Sequence, residues 1–462
     1  MKKVKIISTL LITIFVVACF NKKAAMDKET SNDLVSVPAQ QQYPGNAEIG
    51  YRYLVEGDYL KSGIPFSFFK MSGMKEKENY LKRTGVNATT PFNYTVVNSP
   101  NGEQVVSPNC LYCHAQKFGD SLVIGLGNSL SDYTMPQDAT MGILEMAVRA
   151  AGPKKKEASM ALIRAAKASN PYLVAESKGV NVADRLTAIL AAHRNPATFQ
   201  WIEKEQLDIP PDLIPTDVPA WWLLKKKNAM FYSGFGRGDF PRFLMASNLL
   251  TVSDTAESAE VLTHFSDVLA YLYSLKAPKF PKPVNEQLAL QGKAVFTENC
   301  SRCHGEYGDK PSYPNLLVPS HIIKTDSMLV LSNYSTPTFL QWFKKSWFTT
   351  GERPADLVPF KGYIAPPLDG VWCTAPYLHN ASVPNLETLL NSKLRPIYWS
   401  RNFDRQEYDY DKVGWKYEQK DKQYTKSTYN TTLKGYSNSG HYFGDQLSDT
   451  DRNAVIEYLK TL

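Results

Sequence analysis

The chain has few cysteines and histidines for its length, and its excess of positive charge is small. Its 462 residues include six cysteines and seven histidines, and 52 Lys and Arg against 45 Asp and Glu give a formal net charge of +7. Four of the cysteines form two C-x-x-C pairs, which does not suit a disulfide scaffold. So small a charge excess argues against nucleic-acid binding. The hydrophobic fraction of 43% excludes a disordered or fibrous chain and predicts a large buried core.

The N-terminal segment lacks the roughly 20 apolar residues that a membrane-spanning helix needs. Three lysines within the first five residues precede an apolar run that ends at Ala18, which predicts a signal peptide over residues 1–18. Residues 15–19, Phe-Val-Val-Ala-Cys, resemble the lipobox of bacterial lipoproteins, in which Cys19 would be acylated. An ordinary secretory peptide is the alternative. We expect an exported lipoprotein that faces the periplasm or lies at the outer membrane.

Two C-x-x-C-H motifs are the strongest chemical signal in the chain. They are Cys110-Leu111-Tyr112-Cys113-His114 and Cys300-Ser301-Arg302-Cys303-His304. Thiols at this spacing lie on one face of a helical turn, where each can add to a haem vinyl group, and the next imidazole faces the iron. A redox dithiol would need a βαβ context, and a four-cysteine zinc site would leave both histidines without purpose. The motifs predict two covalent c-type haems, with His114 and His304 as proximal ligands.

Hydrophobic periodicity predicts amphipathic helices on both sides of a Pro-rich stretch at 277–283. One predicted helix, at 258–275, comes before this stretch. Two others, at 286–299 and 448–462, resemble the N- and C-terminal helix pair of a cytochrome c domain. The Pro-rich stretch is therefore the predicted boundary between two lobes.

The predicted fold is mainly α-helical, with two cytochrome c-like lobes that hold one covalent haem each. A polar, flexible tether over residues 19–43 precedes the first lobe at 44–281, and the second lobe spans 282–462. An Ala-, Leu- and Lys-rich stretch at 138–206 predicts a helical insertion in the first lobe. A Tyr-rich stretch at 394–439 without clear periodicity predicts a long, ordered loop excursion in the second, with room for a hairpin.

One segment of the second half resembles a known family. Residues 365–386, which contain Thr-Ala-Pro-Tyr-Leu-His at 374–379, are similar to the T-A-P-Y-x-H-x-G-S-x-x-T-L segment of the dihaem cytochrome c peroxidase superfamily. The similarity is closest to the rubber-oxygenase type. The order of the two C-x-x-C-H motifs, the Trp-Trp pair at Trp221 and the Gly-His pair that ends at His441 extend this resemblance over most of residues 43–462.

The resemblance implies an oxidoreductase with two unequal haems. In this family the N-terminal haem reacts and the C-terminal haem transfers electrons. The haem at His114 would therefore react with peroxide or O2, and the haem at His304 would exchange electrons with a redox partner protein. Trp221 is the expected relay between the haems, and Trp222 is the second candidate. A peroxidase or dioxygenase-like enzyme is expected; the alternative is a non-catalytic periplasmic electron-transfer cytochrome.

Few residues are available as further iron ligands. For the second haem we favour His441 as distal ligand, partly from the resemblance, with His379 as the second candidate and Met328 as a third. Met230 or Met245 could ligate the first iron, which would leave a pure electron carrier.

Three further residues have expected roles. Arg237 and Arg242 are candidate partners of haem propionates. Cys373, the one cysteine without a lipid or haem role, is expected to be a small buried thiol rather than a haem ligand. A calcium ion between the lobes is compatible with the resemblance, but no ligand set for it is identifiable in the sequence.

Overall fold

The computed structural model describes residues 33–335 and 337–462. The predicted signal peptide, Cys19 and the first part of the predicted tether lie outside these residues. Among the described helices, none is both long and apolar enough to cross a membrane. Helices account for 39% and strands for 14% of the structure, so the mainly helical prediction is correct only in part. The strands add a β component that helical periodicity does not reveal.

Two pairs of packed helices organise the fold. In the first pair Ala47–Glu56 packs on Thr255–Ser274, and in the second Glu286–Asn299 packs on Asp449–Leu459. All four helices begin at a side chain that accepts hydrogen bonds from the free N–H groups of the first turn. These capping residues are Asn46, Asp254, Asn285 and Ser448. The second pair corresponds to the helices predicted at 286–299 and 448–462.

A glycine at each crossing allows the paired helices to approach closely. A Cβ at Gly50 would lie 1.9 Å from the carbonyl oxygen of Asp267, and a Cβ at Gly292 would lie 1.8 Å from that of Ala454. Such separations are far below van der Waals contact, so any side chain would force the backbones apart. Both crossings therefore require glycine.

We expect Gly292→Ala to lower the free energy of unfolding by roughly 1–3 kcal/mol or more, because its methyl group has no space. Urea denaturation followed by circular dichroism measures the change. Gly142→Ala is the matched control, since Gly142 lies in the Asp138–Ala150 helix and a Cβ there has no neighbour within 4 Å. That variant should be neutral or more stable by up to about 1 kcal/mol. Equal destabilisation of both variants would contradict a close crossing at Gly292.

The remaining helices connect or cover the two pairs. They are Phe66–Met71, Leu111–His114, Asp138–Ala150, Pro153–Ser169, Ala183–Ala192, Phe240–Leu244, Ser301–His304, Ser320–Ile323, Met328–Ser335, Pro337–Lys344 and Leu386–Leu390. Three of them lie within 138–206, where a helical insertion is predicted. A 3₁₀ helix, Trp221–Lys226, carries the tryptophan pair.

The strands are short and pair antiparallel in small sheets. They are Val35–Ser36, Ile64–Pro65, Tyr94–Asn98, Gln104–Pro108, Ala115–Phe118, Ser121–Ile124, Gly236–Gly238, Leu316–Pro319, Ala355–Leu357, Gly362–Ile364, Tyr398–Ser400, Tyr408–Asp409, Gly414–Trp415, Glu418–Lys420 and Thr428–Asn430. The last five lie in the predicted excursion at 394–439, which is therefore ordered by β-pairing. Within it, Tyr398–Ser400 is the central strand between Glu418–Lys420 and Thr428–Asn430.

Two large hydrophobic clusters form the core. The first surrounds the first C-x-x-C-H motif and includes Leu111, Trp221 and Phe265. The second lies beside the second motif and includes Trp222 and Phe296. The two neighbouring tryptophans thus belong to different clusters.

Residues 337–357, which belong to the predicted second lobe, complete the first cluster. They contribute Trp342, Phe343, Phe348, Ala355 and Leu357. The indole N–H of Trp342 donates to the carbonyl oxygen of Arg194 at 2.7 Å. The core around the first motif is therefore built from both halves of the chain.

Candidate functional site

The first C-x-x-C-H motif forms one helical turn after a β-hairpin. The carbonyl oxygen of Cys110 accepts hydrogen bonds from the N–H groups of Cys113 and His114, at 3.3 and 3.1 Å. Neither thiol is in a disulfide, and burial raises the pKa of Cys110 to about 11. Burial lowers the pKa of His114 to about 3. At neutral pH the turn therefore presents two protonated thiols and a neutral imidazole.

The second motif has the same local geometry. The carbonyl oxygen of Cys300 accepts from the N–H groups of Cys303 and His304, both at 3.1 Å, and burial raises the pKa of Cys300 to about 12. Nδ1 of His304 donates to the carbonyl oxygen of Pro366 at 2.8 Å. A hydrogen bond of this kind orients the ring and leaves Nε2 as the metal-binding nitrogen. Burial lowers the pKa of His304, so its imidazole is neutral.

His441 faces His304 across a gap of the size that one metal ion needs. The two ring centroids are 6.2 Å apart, and the ring planes are inclined by 55°. Two imidazoles that bind one metal from opposite sides, each through a bond of about 2 Å, have ring centres about 6 Å apart. Burial, reinforced by His304, lowers the pKa of His441 to about 3. The pair therefore fits a bis-imidazole iron site.

Both motifs fit a covalent c-type haem by their donor groups. Each presents two thiols and one neutral imidazole on a single turn, and the buried Nδ1 atoms of His114 and His441 have no hydrogen-bond partner. Cys110 packs against the first cluster and Cys300 against the second, which does not suit one four-cysteine zinc site. Within the described ranges, no group of three or more His, Cys, Asp or Glu side chains could hold a metal ion by itself.

The two other candidates for the distal position have different neighbours. The His379 ring stacks on Tyr363 with 4.1 Å between centroids, and its Nε2 lies 3.1 Å from the Tyr363 hydroxyl. The N–H of Met328 donates to the carboxylate of Asp326 at 2.8 Å. Of the three candidates, His441 is the one in ring contact with the proximal histidine of the second motif.

The buried His379 makes stability depend on pH. Burial lowers its pKa to about 3, against about 6.5 in an unfolded chain. Between these values the unfolded chain binds a proton that the folded chain does not. The free energy of unfolding therefore does not depend on His379 above pH 6.5. As the pH falls below 6.5, protonation of His379 in the unfolded chain lowers the free energy of unfolding, by up to about 1.4 kcal/mol per pH unit.

We expect His379→Gln to reduce this loss of stability between about pH 6 and pH 4. Urea denaturation at each pH measures the slope. His321→Gln is the control, because the His321 side chain is 66% exposed and pairs with Asp33 at the surface. A slope that is the same in His379→Gln and the wild type would contradict a neutral, buried His379.

Trp221 and Trp222 connect the surroundings of the two motifs. The Trp221 ring stacks on the ring of His114, with 4.3 Å between centroids and 15° between planes. The indole N–H of Trp222 donates to the carbonyl oxygen of Asp369 at 2.8 Å. That carbonyl lies three residues after the one that holds His304. The pair therefore contacts the first imidazole on one side and the segment that orients the second on the other.

Side chains without a predicted role stabilise the contact between the tryptophan pair and the segment that orients His304. Lys226 donates from Nζ to both carboxylate oxygens of Asp369, at 2.7 Å each. The Tyr307 hydroxyl accepts a hydrogen bond from the backbone N–H of Leu368 at 2.5 Å. It donates to the carbonyl oxygen of His304 at 3.1 Å. Asp369 lies in the segment at 365–386 that resembles the dihaem peroxidase superfamily, so the resemblance could have pointed to it. Lys226 and Tyr307 carry no such signal, because only the folded chain brings them there.

The methionine and arginine candidates lie in or near the first cluster. Met230 and Met245 are buried within it. Arg242 donates from Nη1 to the carbonyl oxygen of Trp347 at 2.6 Å and covers its ring at 4.5 Å. Arg237 is buried in the Gly236–Gly238 strand and donates to the carbonyl oxygen of the adjacent Gly236 at 3.3 Å. The two arginines therefore already have protein partners.

Cys373 is a buried thiol, as expected. Its side chain donates to the carbonyl oxygen of Gly370 at 3.1 Å. Burial raises its pKa to about 12. The thiol is therefore protonated and poorly reactive at neutral pH.

The C-x-x-C-H turns and the crossing helices are features of a c-type cytochrome. A family model described as RoxA-like, cytochrome c-like matches residues 362–400. This match points to the rubber-oxygenase-like cytochromes and confirms the resemblance for that segment. A cytochrome c-like domain implies a c-type haem. The matched residues include Pro366 and Asp369, which contact the second motif and the tryptophan pair.

Similarity to curated proteins extends over more of the chain. The uncharacterised protein y4iM of Sinorhizobium fredii is 29% identical over 297 residues, which cover 55% of this chain and 66% of that protein. The uncharacterised protein y4iJ of the same organism is 27% identical over 253 residues, 41% of each chain. The chain thus spans about two thirds of the first relative and about two fifths of the second.

Proposed function

We propose that the protein is a lipid-anchored c-type cytochrome with two covalent haems that acts as an oxidoreductase. Peroxide or O2 reacts at the site of Cys110, Cys113 and His114. Electrons pass through the site at His304 and His441. The RoxA-like cytochrome c match supports a c-type cytochrome oxidoreductase, and the two C-x-x-C-H turns support two attachment sites.

The difference between the two imidazole environments carries this proposal. At the second motif His441 lies opposite His304, with ring centroids 6.2 Å apart. An iron between the two rings would therefore have an imidazole ligand on each side. At the first motif His114 has ring contact with Trp221, and within the described residues no second imidazole has ring contact with it. When bound, the haems supply one-electron redox chemistry and, where one axial position is open, a binding position for peroxide or O2.

The protein's own residues orient and separate the two sites. Trp221 fixes the plane of the His114 ring by stacking, and the carbonyl oxygen of Pro366 fixes that of His304. The apolar cluster around the first motif excludes bulk water from the reacting molecule. Trp221 and Trp222 form the proposed relay, because they contact both the first imidazole and the segment that orients the second.

The proposed location is the periplasmic face of a membrane or the outer membrane. Lipid on Cys19 would anchor the chain at the membrane, where the folded part would meet a redox partner protein. Of the predicted tether at 19–43, residues 35–43 belong to that folded part, because Val35–Ser36 pairs with Leu316 and Leu317 and Val37 is buried. Cys19→Ser should move the protein from the membrane fraction to the soluble fraction of cells. A variant that stays with the membrane would contradict the anchor.

Electron transfer without catalysis is the second candidate function. Met230 and Met245 favour it, because both thioethers are buried in the cluster around the first motif and a thioether can occupy the sixth position of a haem iron. Electron paramagnetic resonance of the ferric holoprotein tests the two functions. The oxidoreductase should give one high-spin and one low-spin signal, and cyanide or peroxide should change the high-spin signal. Two low-spin signals that do not respond would establish the electron carrier.

A further inference from the structure

We infer that Arg395 is a positioning residue that holds His441 opposite His304. The inference rests on the proposed haem site at this histidine pair and adds a residue that no motif or resemblance assigns. It is carried by the hydrogen bonds of the guanidinium group and by the backbone conformation of the loop that bears His441.

Arg395 uses its five N–H donors on backbone carbonyl groups of two chain segments. The acceptors are the carbonyl oxygens of Thr388, Leu389, Asn438, Gly440 and His441, at distances of 2.6 to 3.3 Å. Two acceptors lie in the Leu386–Leu390 helix, and three lie in the loop at 438–441. The guanidinium group of Arg395 therefore connects the loop of His441 to the Leu386–Leu390 helix by hydrogen bonds.

The loop has a backbone conformation that it would not keep alone. His441 has a φ of +49°, in the left-handed region that costs a residue with a Cβ roughly 1–2 kcal/mol. The preceding Gly440 has a φ of +81°, and a Cβ there would lie 2.1 Å from the backbone nitrogen of Thr325. The N–H of His441 donates to the carbonyl oxygen of Ile323 at 2.7 Å. Strain of this kind persists only where the surroundings impose it.

The segment that leads into Arg395 is anchored by the chain beyond His441. The carboxylate of Asp445 accepts hydrogen bonds from the N–H and the hydroxyl of Ser392, at 2.8 and 2.6 Å. The segment that leads into Arg395 and the segment that follows His441 are thus fixed to each other. A lysine could not replace this contact, because its three donors radiate from one nitrogen and cannot reach both segments in a plane.

The spin state of the second site tests the inference. In the ferric holoprotein, Arg395→Met should lose low-spin signal of the His304–His441 pair, because His441 is no longer held, while the signal of the first site stays unchanged. Free imidazole should restore the lost low-spin signal, since a folded site with an open position accepts an external ligand. This rescue is measured in the Cys110→Ala/Cys113→Ala background, because an open first site would bind imidazole as well. Arg395→Lys keeps the charge without the planar donor group, so its loss of low-spin signal should be smaller than that of Arg395→Met. If Arg395→Met does not fold, Arg395→Lys tests the positioning role instead, and a full low-spin signal in it would overturn the inference.

Arg452→Met is the matched control. Arg452 donates to the carbonyl oxygens of Gly444 and Leu447, so its loss removes a similar contact close to the loop and should leave the spectrum unchanged. Full low-spin signal in folded Arg395→Met, or equal losses in the Arg452 variant, would overturn the inference.

His441→Ala separates this inference from the proposed function. If His441→Ala keeps the low-spin signal, the proposed histidine pair itself is wrong. If it abolishes the signal while both Arg395 variants retain it, the pair stands and only the positioning role of Arg395 is wrong.

Discussion

The Cys110→Ala/Cys113→Ala double variant is expected to keep one covalent haem per chain and to lose its reactivity toward peroxide and O2. The two proposed attachment thiols of the first motif are then absent, whereas the His304–His441 pair of the second motif is untouched. Mass spectrometry counts the covalent haems. Consumption of peroxide or O2 with a reduced donor measures the reactivity, which should fall to the background of a haem-free chain.

The Cys300→Ala/Cys303→Ala double variant is the reciprocal control. It should also keep one covalent haem, and that site should still bind cyanide, but sustained turnover with a one-electron donor should fail because the second site no longer passes electrons. If this variant were inert to cyanide while the Cys110/Cys113 variant stayed reactive, the proposed roles of the two sites would be reversed. A wild-type chain with a single covalent haem would contradict the proposal of two haems.

Trp222→Phe is expected to slow electron transfer between the two sites severalfold. The phenyl ring preserves most of the packing in the second cluster, but it removes the N–H that contacts the carbonyl oxygen of Asp369 at 2.8 Å. That contact links the tryptophan pair to the segment that orients His304. Rapid mixing with a reductant, followed at wavelengths that separate the two sites, measures the rate of equilibration.

Trp372→Phe controls for loss of stability. Trp372 is buried in the same cluster, and its indole N–H donates to the carbonyl oxygen of Pro278 at 2.7 Å. Either replacement leaves one carbonyl oxygen unsatisfied, at a cost of roughly 1–3 kcal/mol. Slowing in Trp222→Phe alone supports the relay; equal slowing in both variants would show that the rate reports packing and would remove Trp222 from the proposed path.

Local features of the fold were predictable from the sequence because local chemistry determines them. The helix predicted at 286–299 is observed as Glu286–Asn299, since Asn285 caps its first turn and its apolar residues recur at helical spacing. The turn from Cys300 to His304 has the same local origin. The glycine at the helix crossing, Gly292, was not predictable, because its role depends on the distant Ala454.

The parts of the candidate site that depend on distant contacts were not predictable in this way. His441 could be favoured as a ligand from the sequence, but its position opposite His304 depends on five hydrogen bonds from Arg395, none of which follows a local pattern. The pairing of Lys226 with Asp369 is likewise long-range. The strands at 398–430 are two or three residues long, too short for an alternating pattern to identify.

The contribution of residues 337–357 to the first cluster has a consequence for the order in which the protein can fold. Synthesis delivers the first C-x-x-C-H motif long before Trp342, Phe343 and Phe348, which cover part of the core around it. Until those side chains emerge, one wall of that core is missing and its apolar surface is open to water. A fragment that ends at residue 281 should therefore aggregate, and stable burial of the first site must wait for the second half of the chain.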